Sequence, residues 1–218
     1  MSVTTTFLSG PSIRARLGAG EIHLWHLQSS RPGSRGAVAA VLARYLGIAA
    51  ADVRFTRDAR GKPELDVRCG AAPRFSISRA GQVGLLAVAE ETQVGVDIEP
   101  LGRIPARWAV VREALTERER SVLPTDESSA ADAFLRSWVR KEALLKAAGV
   151  GLSVEPRLVE LRGIEIVAVP SELGTTESWA LVDLTLPRHV AAVATENPRA
   201  VLRLHGEWPT SVRPRVGA

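Results

Sequence analysis

Asp97 and Glu99 stand one residue apart in the stretch VGVDIEP, from Val94 to Pro100. In a strand, residues i and i+2 share a face, so the two carboxylates are neighbours, about 6–7 Å apart along the backbone. Val96 and Ile98 face the other way and can fill a core. Like charges this close raise each other's pKa unless something positive lies between them. A divalent cation is one partner that fits. A half-exposed strand with alternating polar positions is the plainer reading, and on this stretch alone the commoner one.

A third carboxylate lies in AFLRSWVRKEALLKAAGVGL, from Ala133 to Leu152. Trp138, Glu142 and Lys146 fall at i, i+4 and i+8 and form one helical stripe, with Lys141 one step round. A solvated Glu142–Lys146 pair would by itself support the helix. The tryptophan on the same stripe places Glu142 at the border of a core, where it can reach a cleft. Asp97, Glu99 and Glu142 together suit a hard ion such as Mg²⁺, with Mn²⁺ as an alternative, because such ions take oxygen ligands and leave positions for phosphates. Lys141 and Lys146 could balance phosphate charge. Phosphoryl transfer asks for little else beyond an oriented nucleophile.

These residues need a scaffold. The 218 residues are 45% hydrophobic and 24% charged, enough for one large or two small globular domains. A basic n-region followed by a long apolar run is absent from the first residues, and so is any apolar run of membrane-spanning length. A single cysteine, Cys69, excludes an internal disulfide framework and fits a reducing cytoplasm. His23, His26, His189 and His205 lack metal-site spacing and read as surface or satisfied core residues. The net charge of +4 comes from scattered arginines. With few aromatics and no basic run, it argues against a nucleic-acid-binding role.

Helices are predicted over Ala37–Leu46, Ala106–Leu115, Glu117–Leu123 and Ala130–Ala148, the last stopped by Gly149. Strands are predicted at Ile22–Leu27, Val53–Arg57, Phe75–Ser78, Val83–Ala89, Val94–Glu99, Leu158–Leu161, Ile164–Val169, Trp179–Leu186 and Val190–Thr195, with a turn at Arg79–Gly81. AVAEE (Ala87–Glu91) echoes AVATE (Ala192–Glu196). The order of elements predicts an α+β fold of two related halves, residues 1–100 and 101–200, with an irregular tail over 201–218.

Five motifs in one order carry a resemblance. VGVDIE followed by WVRKEALLKAAGVGL resembles the signature of the surfactin-type 4′-phosphopantetheinyl transferases. Upstream, RGKP (Arg60–Pro63), RFSISRAG (Arg74–Gly81) and SRGAVAAVLARYLG (Ser34–Gly47) are similar to that family's GKP turn, its F-N-(I/L)-S-H-S segment and its arginine-bearing first helix. The resemblance covers roughly Arg31 to Leu152.

It implies two pseudo-symmetric α+β halves forming a monomeric pseudo-dimer, with coenzyme A in the cleft between them. It implies Mg²⁺-dependent transfer of phosphopantetheine to a serine of an apo acyl or peptidyl carrier protein, leaving adenosine 3′,5′-bisphosphate. Asp97, Glu99 and Glu142 would hold the metal. Glu142 would also be the base, directly or through water, and Lys146 would contact the transferring phosphate. Arg35, Lys62, Pro63, Ser78, Arg79 and Lys141 would line the coenzyme A site. Arg79 stands where the family often has His, which keeps a phosphate-gripping cation and removes its pH dependence. Ser76 stands where Asn is usual. An acidic carrier would meet a basic, partly apolar surface near Arg107–Leu123, with Arg112 and Arg118 as candidate contacts. A non-catalytic coenzyme A or carrier-binding module is the alternative; the intact carboxylate set argues against it.

Overall fold

The computed structural model of the chain describes residues 2–5, 15–28, 34–66, 72–102, 112–209 and 212–216. After β1 (Ser2–Thr5), a first unit runs through β2 (Glu21–Gln28), helix α1 (Arg35–Leu46), the hairpin β3 (Phe55–Arg57)–β4 (Pro63–Leu65) and the hairpin β5 (Arg74–Ala80)–β6 (Val83–Ala89). A second unit begins with β7 (Val94–Pro100). It continues through α2 (Glu117–Ser121), α3 (Glu127–Ala148), the hairpin β8 (Glu160–Arg162)–β9 (Glu165–Ala168) and the hairpin β10 (Ala180–Leu186)–β11 (His189–Thr195). Then come β12 (Val201–His205) and β13 (Arg213–Val216).

The pairings repeat with the elements. β2 pairs with β6 and β6 with β5, all antiparallel; β7 pairs with β11 and β11 with β10 in the same way. The two sheets have the orders β1-β12-β2-β6-β5 and β13-β10-β11-β7. The α+β fold of two related units is therefore what the chain forms. β7 ladders into the second sheet, so that unit starts at Val94, ahead of the break expected after residue 100. The tail needs correction: residues 201–205 and 213–216 are strands, β12 completing the first sheet between β1 and β2, and β13 edging the second beside β10. Pro214 is tolerated because an edge strand need not donate on its outer side.

Alternation along the strands builds four layers, helix on sheet on sheet on helix. Leu24, Leu85, Ala87, Val96, Ile98, Val193 and Leu204 fill the core between the sheets. Trp25, Phe75, Leu86 and Val88 face α1 on one outer side, and Ala192 and Ala194 face α3 on the other. Both helices are well defined by their ends. Ser34 Oγ accepts from the Ala37 N–H, and Gly47 closes α1 in the left-handed region at φ 68. Asp126 accepts from the Ser129 N–H, so α3 begins a turn before the predicted Ala130. Much of the helix predicted over Ala106–Leu115 lies outside the described residues, as does Cys69; Arg112–Ala114 form a 3₁₀ turn.

Gly95 sets how closely α3 approaches. A Cβ there would lie 1.9 Å from the Ala143 carbonyl oxygen and 2.5 Å from the Ala147 nitrogen. Only glycine lets the helix backbone lie directly on β7, one residue before Val96 and two before Asp97.

The histidines of the first sheet are less satisfied than expected. His23 bonds Tyr45 and Glu21, but both ring nitrogens of the fully buried His205 lack partners. His205 stacks on His23 at 4.1 Å and on Trp25 at 4.8 Å.

Candidate active site

The close seat of α3 on β7 puts Asp97, Glu142 and Lys146 together. Asp97 is buried, at 4% exposure, on the α3 side of its strand, and Val96 and Ile98 face the inter-sheet core as the alternation predicts. Lys146 Nζ donates to Asp97 Oδ1 at 2.5 Å, and Ser78 Oγ donates to the same oxygen at 2.7 Å. Asp97 Oδ2 and Glu142 Oε1 are buried without a hydrogen-bond partner. Burial pushes the Glu142 carboxyl above its usual range; Asp97 adds to the rise and Lys146 opposes it.

The three carboxylates do not form a ready cluster. Among the described residues no three His, Cys, Asp or Glu side chains converge closely enough to hold an ion. The physical reason is visible at Asp97: its charge is met by the Lys146 ammonium, and Glu99 lies one step on, half-buried toward the strand end. The donor set still fits a hard cation, because Asp97 and Glu142 each bury a carboxylate oxygen without a partner and are near enough for Asp97 to raise the Glu142 pKa.

A cleft leads away from Lys146. Lys62, Ser76, Gly149 and Lys146 border a cavity of about 240 Å³. It shares Pro63 and Phe75 with a second of about 500 Å³ that reaches Arg35 and Arg57. The turn before Pro63 is built by Asp58, whose Oδ1 accepts from the Arg60 and Lys62 amides at 2.9 and 2.8 Å. The Lys62 side chain spans the units, donating to the Ala147 carbonyl at 3.2 Å and to Gln93 Oε1 at 3.4 Å. Burial lowers its pKa, and nearby Arg74 lowers it further. Arg35, the first residue of α1, lies 5.3 Å from the Phe55 ring centroid. Arg35, Lys62, Pro63, Ser78 and Lys146 therefore all stand along this cleft or at its end.

Two expectations change. Arg79 lies within β5, opposite Gly84, with the turn one step later at Gly81 (φ 59); it is an exposed strand residue. Lys141 is turned away from the cleft and is fully buried. Its ammonium donates to Glu119 Oε2 at 2.6 Å and to the Ala114 carbonyl at 3.0 Å. One helical step from Glu142 is a rotation of about 100°, enough to carry it off the stripe that faces the cleft. Lys141 is thus an anchor for α3, and it does not contact the cleft.

Glu119 is the residue that sequence reasoning undervalued. It caps α2 reciprocally with Thr116, and its Oε1 accepts from the Leu161 amide at 3.0 Å. The signal was present as Thr116-x-x-Glu119, a capping box. Its second duty to Lys141 depends on tertiary packing. Arg140 adds a two-pronged bond to Asp183 of β10, at 2.9 and 2.5 Å.

Residues 93–194 match the 4′-phosphopantetheinyl transferase superfamily. The chain is 32% identical over 166 residues to the 4′-phosphopantetheinyl transferase HetI of Nostoc sp., covering 73% of this chain and 68% of that protein. It is 34% identical over 131 residues to the human L-aminoadipate-semialdehyde dehydrogenase-phosphopantetheinyl transferase, covering 55% of this chain and 42% of that protein. The rat protein of the same name is 33% identical over 183 residues, 72% of this chain and 58% of the relative.

Proposed function

The chain belongs to the 4′-phosphopantetheinyl transferase superfamily, and from that premise we propose that it is a surfactin-type enzyme that transfers phosphopantetheine from coenzyme A to an apo carrier protein. The observation that carries the site assignment is the pair of orphaned oxygens, Asp97 Oδ2 and Glu142 Oε1, beside the Lys146 ammonium at the end of a cation-lined cleft. Asp97 and Glu142, with Glu99 on the same strand face as Asp97, would hold Mg²⁺. When bound, the ion offsets diphosphate charge and gives the two carboxylates a common counter-charge.

The remaining chemistry falls to the chain. A carrier serine oxygen attacks the phosphorus next to the pantetheine arm. A new P–O bond forms, and the bond to adenosine 3′,5′-bisphosphate breaks. The serine proton passes to the Glu142 carboxylate, whose Oε1 is buried and accepts no hydrogen bond from the chain. Lys146 offsets the charge spreading over the transferring phosphate. Lys62 and Arg35 grip the nucleotide end, and Pro63 and Phe75 give it an apolar floor.

The carrier meets the surface around α2. Arg118 is 68% exposed on its side chain, and the neighbouring apolar Val122 and Leu158 are 77% and 52% exposed. That mixture suits the acidic, partly apolar face of a carrier. Arg112 is half-buried, so Arg118 is the sharper probe. The enzyme works as a monomer, both units contributing to one cleft. No helix among the described residues is long and apolar enough to cross a membrane.

The test is mass spectrometry of apo carriers incubated with the protein, Mg²⁺ and coenzyme A. The expected result is a phosphopantetheine mass shift that Asp97→Asn and Glu142→Gln each reduce by on the order of 10³-fold. Full activity in both variants would overturn the assignment.

A further inference from the structure

β5 and β7 are the facing edge strands of the two sheets, and neither ladders onto the other. Two serine side chains span the seam between them. Ser76 Oγ accepts the Val96 N–H at 3.1 Å, and Ser78 Oγ donates to Asp97 Oδ1 at 2.7 Å. Ser76 and Ser78 stand on one face of β5, and the groups they hold are consecutive on β7. The opposite edge of β7 is occupied by its ladder to β11, so this edge depends on side chains for its partners. Val96 is completely buried and Ser76 is 7% exposed. Without the Ser76 hydroxyl, the Val96 amide would be a buried donor with nothing to bond.

Resting on the transferase reading above, we propose that Ser76 is a positioning residue for the reaction. By holding the Val96 amide it fixes the edge of β7, and with it the aim of the Asp97 carboxylate at Lys146 and the reacting phosphate. Ser76 also borders the cavity of about 240 Å³ that contains Lys146, so a longer acceptor at this position has room to reach the same amide. What the position requires is an acceptor atom, which serine and asparagine have and alanine lacks.

The experiment compares full-length wild type with Ser76→Ala and Ser76→Asn. Amide exchange at Val96 is followed by NMR, and transfer to an apo carrier is followed by mass spectrometry. Ser76→Ala is expected to speed Val96 exchange and to lower kcat about tenfold, with KM for coenzyme A within about twofold of wild type, because a small displacement of a positioned group acts on the chemical step. Ser76→Asn is expected to restore both the slow exchange and most of kcat. Unchanged Val96 exchange in Ser76→Ala, or a kcat for Ser76→Asn as low as for Ser76→Ala, would overturn the proposal. Failure of the wild type to modify any carrier would instead overturn the transferase reading, and Val96 exchange would still decide whether Ser76 holds the seam.

Discussion

The two units share a topology and differ in what they present to their helices. The ladders give the correspondence: Trp25 of β2 lies opposite Leu86 as Asp97 of β7 lies opposite Ala192, so His23, Trp25 and Leu27 match Gly95, Asp97 and Glu99. In the first unit that face is bulky. Trp25 donates to the Tyr45 hydroxyl of α1 at 2.6 Å and lies 4.8 Å below the Arg44 guanidinium. In the second unit glycine and two carboxylates replace two rings and a leucine, and α3 drops onto the strand. One scaffold thus yields a packing face and a chemical face, and the difference is concentrated in three alternate residues of one strand.

That contrast can be broken most severely at the anchors of the helices. Lys141→Met leaves the Glu119 charge buried without its counter-ion and is expected to cost about 3–5 kcal/mol in urea unfolding. A cost under about 1 kcal/mol would mean that α3 is held elsewhere. Gly95→Ala comes next, because its methyl group meets helix backbone that cannot step aside; about 3 kcal/mol is expected, measured the same way. Stability close to wild type would show that α3 can slide.

The units should also respond to opposite ends of the pH scale. Burial raises the Glu142 pKa, so its ionisation weakens the fold as pH rises through that value. Glu142→Gln should therefore raise Tm at pH 7 and leave it unchanged at pH 4. In the first unit burial, with His23, Arg44 and Arg203 adding to it, lowers His205 from 6.5 to about 4. The unfolded chain takes up that proton first, so stability is lost as pH falls from about 6.5 toward 4. His205→Leu should flatten this acid limb in a series of thermal melts, and an unaltered limb would clear His205 of the role. The smallest effect is assigned to α1: Arg44→Ala, removing a cation over Trp25, should cost about 0.5–1 kcal/mol.

Much of this is legible in the sequence. Short apolar runs marked β2, β6, β10 and β11, alternation marked β7, and glycine stops marked the ends of both long helices. The echo between AVAEE and AVATE pointed to the right strands but is one residue out of register. Ala87 faces the inter-sheet core and Ala192 faces α3, so the true partner of Ala87 is Val193. A short repeat of alanine and valine cannot fix register, because either face accepts both residues. Residues 201–205 were missed although Leu202 and Leu204 alternate with polar neighbours. Their partner β2 lies most of the chain away, and the surrounding prolines suggested a loop. Helical spacing put Glu142 and Lys146 on one stripe, and the structure has both near Asp97. It could not tell that Lys141 had a buried carboxylate waiting on another element, because such pairing exists only after folding.

The insertion of β12 between β1 and β2 bears on how the molecule is made. β2 leaves the ribosome while most of the chain is still unwritten, and until residues 201–205 follow it, one flank of that strand has no neighbour. The unit synthesised first is thus the unit completed late, and a nascent chain stalled ahead of Val201 would display an open strand edge to chaperones, or to a neighbouring copy on the same message.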